Sequence, residues 1–479
     1  MRQVSEAEVE ARLAFDNPWW SQGEGVEQEF RDFPKRAYLH PFLELVVDRD
    51  VRRAVVLLGP RRVGKTVMVY QAIQMLLDAG ALNTSIIYLS LETPVYTGLR
   101  LEKLVSLFQG RFEHAKDSEL FVFFDEVQYL RDWEIHLKSL VDSYRHIKFV
   151  VTGSAAAALR LKSRESGAGR FTEFMLPPLT FAEYLRFIGK ENALIEPEPL
   201  EWSYLAKDID ELNAEFINYL NFGGYPEAVM TPAVQADTAR FIKADIVDKV
   251  LLRDLPSLYG IQDIQELNRL FMVVAYNTGD EVSLEGLAQS SGVAKNTLKR
   301  YLEYLEAAFL IRRIVRIDDT ARRFKRATSF KVYLTNPSMR AALFGPVDGS
   351  DGEIMGGLTE TAIFSQWIHH ADFIDRLHYA RWKGGEVDIV ACDDKLQLPQ
   401  WIVEVKWTDR FFDKPEELHA LLNFLKKNRL RIDDVPLVTT RTRRGMKTVV
   451  HGDATFSIKY VPSSVYCYTV GKNIRLSNP

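Results

Sequence analysis

The sequence predicts an α/β fold, and three observations predict it. Four apolar runs of strand length, AVVLLG (54–59), SIIYLSL (85–91), FVFFDE (121–126) and KFVVTGS (148–154), alternate with segments of helical periodicity such as TVMVYQAIQMLLDAG and WEIHLKSLVDSYRH. Each run is apolar at successive positions, the pattern of strands covered on both faces of a helix-flanked parallel sheet. Beyond residue 345 a long helix, LTETAIFSQWIHH, precedes a run of strands ending in WIVEVKW (401–407), so a second α/β portion follows the first.

Composition narrows the class. A chain of 479 residues is long enough for two to four domains with their own cores. Its 47% hydrophobic and 26% charged residues exclude a mainly disordered or fibrous protein. Two cysteines, Cys392 and Cys467, exclude a disulfide scaffold and a multi-cysteine zinc module. The 61 basic and 65 acidic side chains leave a net charge of −4, so any nucleic-acid surface must be local. Charges interrupt the leading segment where a signal peptide needs an apolar core, and no stretch reaches the ~18 apolar residues of a membrane span. The expectation is a soluble protein of a reducing cytoplasm with no membrane partner.

Five regions are expected. Residues 1–50 read as an N-terminal arm with a basic pair, Lys35 and Arg36, and two aromatics, Trp19 and Trp20, which suit either an exposed docking element or, the stronger reading, burial. Residues 51–179 hold the four runs. Residues 180–275 read as helical, broken by the turn-like NFGGYPEAV (221–229). Residues 276–344 read as helix, turn, helix and strand. Residues 345–479 form the second α/β portion, and GPVDGSDGEIMGG (345–357) is the best boundary.

The sharpest motif is Gly59-Pro60-Arg61-Arg62-Val63-Gly64-Lys65-Thr66, which fits G-x-x-x-x-G-K-[ST] between a strand and a helix. Its glycines let backbone N–H groups curl around phosphate oxygens, and the helix N-terminus adds positive potential. Lys65 would neutralise the β- and γ-phosphates of ATP, and the Thr66 hydroxyl would ligate Mg²⁺. The next element is the strand FVFFDE, whose two acids end at the strand edge where nucleotides bind. Asp125 would orient the Mg²⁺ and Glu126 would polarise the attacking water, so hydrolysis is expected rather than binding alone. At the end of the next strand Thr152 and Ser154 both qualify as sensors of the γ-phosphate, and both also suit capping of the alanine-rich helix that follows. Arg170 would stabilise transition-state charge, including on a neighbouring subunit's nucleotide in a homo-oligomeric ring, or make a surface ion pair. Arg61 and Arg62 are open to the same two readings.

GPRRVGKT, FFDEVQ, VTGS, the Gly-Arg before PPLTFAEYL, GGYPEAV and Leu252-Arg253-Asp254 stand in the order found in a group of prokaryotic AAA-like, archaeal-type ATPases. The chain resembles that group over nearly its whole length. The resemblance implies a P-loop NTPase parallel sheet with a helical lid, then a winged helix, then a nuclease-like domain.

Two further constellations bear on partners. After Ser283–Ala288 and the turn Ser291-Gly292-Val293, Lys295, Asn296, Thr297, Lys299 and Arg300 would face a DNA groove if the second helix is a reader. Arg312, Arg313, Arg316, Arg322, Arg323, Lys325 and Arg326 make a local cationic stretch, which suits phosphates or a solvated face. In the last region Glu404 and Lys406 lie two apart on a strand and project together, Asp388 sits on the strand before, and Glu360 on the preceding helix completes an acid set. This arrangement resembles the PD-(D/E)xK nuclease superfamily of restriction-endonuclease-like α/β fold. There, Glu360, Asp388 and Glu404 would hold Mg²⁺ and Lys406 would assist the attacking water. Three readings follow: an ATPase acting on or with nucleic acid, an ATP-regulated nuclease of DNA or RNA, and a nucleotide switch that recruits a protein partner.

Overall fold

The structure is a computed structural model, and it describes residues 4–21, 23–154, 169–199, 203–322, 329–393, 398–428 and 435–474. Arg323, Lys325, Arg326 and the helix expected after Ser154 lie outside the described residues. The chain forms two compact units, Met1–Pro177 and Pro178–Asn478.

In the first unit β1 (Ala54–Leu58), β2 (Ile86–Ser90), β3 (Leu120–Asp125), β4 (Ile147–Gly153) and β5 (Phe171–Met175) form one sheet. Its order is β2-β3-β4-β1-β5 and every neighbouring pair is parallel, a P-loop NTPase sheet. Every residue of β1, β3 and β4 is buried, which is why those runs carry no polar alternation. β5 has no such signature. It is an edge strand with the exposed Glu173 in its middle, so FTEFM carries no continuous apolar run.

The first 50 residues belong to this unit. Ser5 and Glu8 form a capping box that starts the helix Glu6–Asp16. Just beyond it, Asn17 donates to the Tyr88 carbonyl at 2.9 Å and accepts from the Tyr88 N–H at 2.6 Å. The indole N–H groups of Trp19 and Trp20 donate to the Ile86 carbonyl at 3.1 and 2.8 Å. These side chains satisfy the outer edge of β2, whose backbone groups would otherwise face outward unpaired. Of the two readings of this pair, exposed docking element or buried aromatics, the structure has the second. Trp19 is fully buried, and Trp20 stacks on Phe108 with ring centroids 5.8 Å apart.

The second unit holds a mixed sheet of nine strands among the described residues. They are β8 (Glu281–Ser283), β9 (Ile311–Ile317), β10 (Ser329–Leu334), β11 (Leu377–Trp382), β12 (Gly385–Cys392), β13 (Pro399–Glu404), β14 (Leu437–Thr440), β15 (Gly445–His451) and β16 (Ala454–Pro462). Their order is β15-β16-β14-β13-β12-β11-β9-β10-β8. A separate hairpin pairs β6 (Ile195–Pro197) with β7 (Tyr204–Ala206) inside the stretch expected to be helical. That stretch opens with Thr180 and Glu183 as a capping box for the helix Phe181–Phe187.

The sheet runs across the boundary expected at 344/345. Tyr379 and Ala380 of β11 pair in parallel with Arg316 and Ile317 of β9. GPVDGSDGEIMGG lies inside this unit, where Asp351 caps the helix Gly352–Trp367 by accepting from two of its first N–H groups. The GGYPEAV turn is a packing device. A Cβ on Gly224 would meet the Asn336 amide at 2.4 Å, and Tyr225 is buried beside it. Both cysteines are buried and neither forms a disulfide. Among the described residues no helix is long and apolar enough to cross a membrane.

Candidate active site

β1 ends at Leu58, and the chain turns through Gly59–Gly64 into the helix Lys65–Asp78. Glycine is needed at both ends of that turn. A Cβ on Gly59 would stand 2.3 Å from the Leu176 carbonyl oxygen, and Gly64 has a φ of +92°. Pro60 and Val63 are buried, Arg61 is half-buried and Arg62 is exposed with a φ of 65°. Lys65 is buried, and its Nζ donates to the carbonyls of Gly59 at 3.1 Å and Pro60 at 2.8 Å, so the ammonium lies against the loop. The loop is held from behind by Arg36. One guanidinium nitrogen donates to the Val63 carbonyl at 2.6 Å and the other to the Pro177 carbonyl at 2.9 Å. Arg36 is only 5% exposed, a role that a basic pair in an N-terminal arm does not announce.

β3 brings the acids to the same sheet edge. Asp125 is buried, and three hydroxyls donate to its carboxylate: Thr66 at 2.9 Å, Tyr88 at 2.7 Å, and Thr152. Burial, then the neighbouring charge of Glu126, raises its pKa above the ordinary carboxyl value. The Thr66 hydroxyl and the Asp125 carboxylate form an all-oxygen pair that fits a small hard cation. Glu126 follows in a left-handed conformation, with a φ of 57°. Its N–H donates to the Thr152 hydroxyl at 3.0 Å, and its carboxylate accepts from the Gln128 amide. Gln128 in turn accepts from the Ser154 N–H at 3.3 Å. Thr152 thus touches both acids. The Ser154 hydroxyl is buried with no hydrogen-bond partner among the described residues. Sequence reasoning missed Arg36, Tyr88 and Gln128; only the last lies within a motif, FFDEVQ. Arg170 pairs with Asp142 at 2.6 Å, both side chains being more than 40% exposed.

The C-terminal residues also converge. Glu360 on the helix Gly352–Trp367, Asp388 on β12, Glu404 at the end of β13 and Lys406 just beyond it meet in one cluster, with Asp388 and Glu404 buried and Glu360 and Lys406 half-buried. Lys406 Nζ lies 2.8 Å from Glu404 Oε1 and 3.4 Å from Asp388 Oδ2, which also accepts from the Val405 N–H at 2.8 Å. A second lysine, Lys331 on β10, enters from the region expected to be separate. Its Nζ lies 2.6 Å from Glu360 Oε1, 2.6 Å from Glu386 Oε1 and 3.6 Å from Asp388 Oδ1. Burial pushes the Glu360 and Glu404 carboxyls up to about 7. Burial would raise Asp388 too, but the Lys406 and Lys331 charges outweigh it and hold Asp388 low. Both lysines are held above their ordinary value, because the carboxylates outweigh their own burial. As they stand, these acids are matched to ammonium groups. Among the described residues no group of three or more His, Cys, Asp or Glu is arranged to hold a metal ion.

On the helix Lys295–Ala307, Lys295, Asn296, Lys299 and Arg300 are exposed and Thr297 is half-buried. Lys295 pairs with Glu285 at 3.1 Å. The arginines of β9 are largely engaged: Arg312 with Asp375, Arg313 with Glu306, and Arg316 with Glu281 at 3.7 Å.

Residues 51–185 match the family model of an AAA domain, and residues 213–348 match that of a domain of unknown function. An uncharacterized protein of Methanocaldococcus jannaschii is 24% identical over 439 residues, 87% of this chain and 90% of its own length. An uncharacterized protein of Haemophilus influenzae is 23% identical over 388 residues, 80% of this chain and 88% of its own. Among solved structures, the Aeropyrum pernix Orc1 protein in complex with DNA is 14% identical with a TM-score of 0.30, covering 66% of this chain and 94% of that one. AMPPCP-bound DnaA from Aquifex aeolicus is 14% identical with a TM-score of 0.30, covering 59% and 93%.

Proposed function

We propose that the protein is a Mg²⁺-dependent, AAA-like ATPase that binds and hydrolyses ATP and acts on or with nucleic acid. One observation carries the ATPase reading: the Asp125 carboxylate lies 2.9 Å from the hydroxyl of Thr66, so the phosphate loop and the acidic strand end form one site. Backbone N–H groups of Gly59–Thr66 bind the phosphates, and Lys65 leaves the loop carbonyls to meet the β- and γ-phosphates. Thr66 and Asp125 would hold Mg²⁺, which supplies charge neutralisation on the phosphate oxygens. Glu126 takes a proton from the water that attacks the γ-phosphorus; the bond to the β–γ bridging oxygen breaks, giving ADP and inorganic phosphate. We assign the sensor role to Thr152, which bonds the Asp125 carboxylate and the Glu126 N–H, rather than to Ser154.

Nucleic-acid contact is assigned to the helix Lys295–Ala307. The order of helix Ile264–Tyr276, β8, helix Leu284–Ser291, this helix, then β9 and β10 supports a winged helix, and its Lys299 and Arg300 supply exposed positive charge. The arginines of β9 add little, being spent on acids. The convergence of Asp388, Glu404, Lys406 and Glu360 supports a nuclease-like fold for the C-terminal part. It does not by itself support cleavage, because ammonium groups stand on the acids.

The test is ATP turnover measured in parallel without nucleic acid and with single-stranded DNA, duplex DNA and RNA. Lys65→Ala is expected to abolish binding and turnover. Glu126→Gln is expected to keep binding and lower turnover by about 10²–10⁴-fold. Normal hydrolysis in both variants refutes the site. Turnover indifferent to all three nucleic acids refutes that part of the reading and favours the partner-recruiting switch.

A further inference from the structure

The C-terminal cluster contains one group that the nuclease-like pattern does not call for. Lys331 is 2% exposed and lies on β10, outside the Asp388–Glu404–Lys406 segment. Three carboxylates from two elements, Glu360 from a helix and Glu386 and Asp388 from β12, point their oxygens at its single ammonium. The Tyr333 hydroxyl, two residues along the same strand, also donates to Glu360. The arrangement is closed on its other side as well: Arg381 pairs with the second oxygen of Glu386 at 2.8 Å, and Lys406 bridges Glu404 and Asp388.

We infer that Lys331 is a built-in cation, neutralising Glu360, Glu386 and Asp388 in the place where a divalent ion would bind, so that this cluster takes no metal while Lys331 is present.

The physical reason is crowding of like charge. A hard divalent ion needs several carboxylate oxygens at roughly 2.0–2.6 Å. The two nearest oxygens here already sit 2.6 Å from an ammonium nitrogen. An ion bound to either oxygen would stand within about 5 Å of that nitrogen, in a buried site where repulsion is poorly screened. Glu404 Oε2 is buried with no hydrogen-bond partner among the described residues, but it lies on the acid already paired with Lys406 through its other oxygen. A buried lysine is also hard to expel, because leaving would take from Glu360 its ion-pair partner and leave Glu386 to Arg381 and Asp388 to Lys406. The C-terminal unit is then a nuclease-like fold whose acid set is an internal ion network. Metal-assisted cleavage of a phosphodiester bond then has no ion to work with at this cluster.

The test uses the full chain without nucleotide and MnCl₂ as the probe, with bound Mn²⁺ counted by electron paramagnetic resonance. Any Mn²⁺ held near Asp125 is a constant background, since the variants differ only in the C-terminal unit. Wild type and Asp388→Asn are expected to bind the same number of ions. Lys331→Ala is expected to bind one more, at least tenfold tighter than any such binding in wild type, and to lose it again in Lys331→Ala/Asp388→Asn. A wild-type ion lost on Asp388→Asn overturns the inference, and so does a folded Lys331→Ala that gains none. If Lys331→Ala does not fold in metal-free buffer, its thermal transition in millimolar MnCl₂ decides: recovery supports the inference and its absence overturns it. None of these outcomes depends on ATP, so failure here and failure of the ATPase reading are separable.

Discussion

Replacing Arg36 with alanine tests the claim that the phosphate loop is held in shape from behind. The guanidinium is buried and forks to two main-chain carbonyls, Val63 at 2.6 Å inside the loop and Pro177 at 2.9 Å behind it. A hydrogen bond from a charged donor contributes about 1.5–3 kcal/mol net, so two make about 3–6 kcal/mol. The truncation opens a space that water can enter and re-satisfy part of both carbonyls, which puts the expected loss near the lower end, about 3 kcal/mol. Loss of the Val63 bond also frees the loop to leave its phosphate-ready shape. Each 1.4 kcal/mol of that reorganisation weakens ATP binding tenfold, so an affinity loss of about ten- to a hundredfold is expected. Urea unfolding gives the first quantity and titration with a fluorescent ATP analogue the second. Arg36→Lys keeps the charge but reaches only one carbonyl, so it should recover about half of each loss. Should Arg36→Ala unfold within about 0.5 kcal/mol of wild type and bind ATP within twofold, the loop is not held by this residue.

Three other outcomes are expected. Thr152→Val keeps the shape but leaves the Asp125 carboxylate and the Glu126 N–H each short of a partner; turnover should fall about 10–100-fold with ATP affinity nearly intact, whereas Ser154→Ala should stay within about twofold. Equal effects of the two would remove the sensor assignment from Thr152. Lys299→Glu with Arg300→Glu should weaken nucleic-acid binding and reduce its log–log salt slope by about 2, read by fluorescence anisotropy at several salt concentrations; an unchanged slope places the contact elsewhere. Glu360 and Glu404 titrate at about 7 in the fold against about 4.5 in the unfolded chain. Between those values the folded state holds more protons than the unfolded one, so their contribution to stability declines as pH rises from about 4.5 to 7. Glu404→Gln should therefore flatten the fall in urea midpoint across that window, and a slope as steep as wild type contradicts the burial of that carboxyl.

The parts of this protein that were legible in sequence are those where one local pattern suffices. β1, β3 and β4 are buried on both faces, so their runs show no polar alternation, and the loop and the acid pair carry their own spacing. β5 was illegible because an edge strand tolerates Glu173, and the hairpin of β6 and β7 because three-residue strands have no period to detect. The Asp388–Glu404–Lys406 set was readable from strand alternation, yet Lys331 was not, since nothing local distinguishes a lysine that a parallel β9–β11 pairing carries into an acid cluster. The boundary expected at 345–357 failed for a related reason. Gly- and Asp-rich sequence suits a linker, but Asp351 there is a helix cap, and both uses draw on the same residue types.

The N-terminal arm shows how far such non-local dependence reaches into the site. Two indoles in a polar arm suggest a docking surface when only neighbours in sequence are considered. In the fold they and Asn17 are hydrogen-bond donors to the open edge of β2, fixing the main chain at Ile86 and Tyr88. Tyr88 has its hydroxyl on Asp125, so the same residue is tied to the arm by its backbone and to the acid by its side chain. Arg36 makes a second connection from the arm, directly to the loop. The first 36 residues therefore reach both halves of the ATP site, the loop through Val63 and the acid through Tyr88, with no arm side chain needed at the phosphates themselves. Shortening the arm should then act on nucleotide affinity as strongly as on stability, which a partner-docking tail would not do.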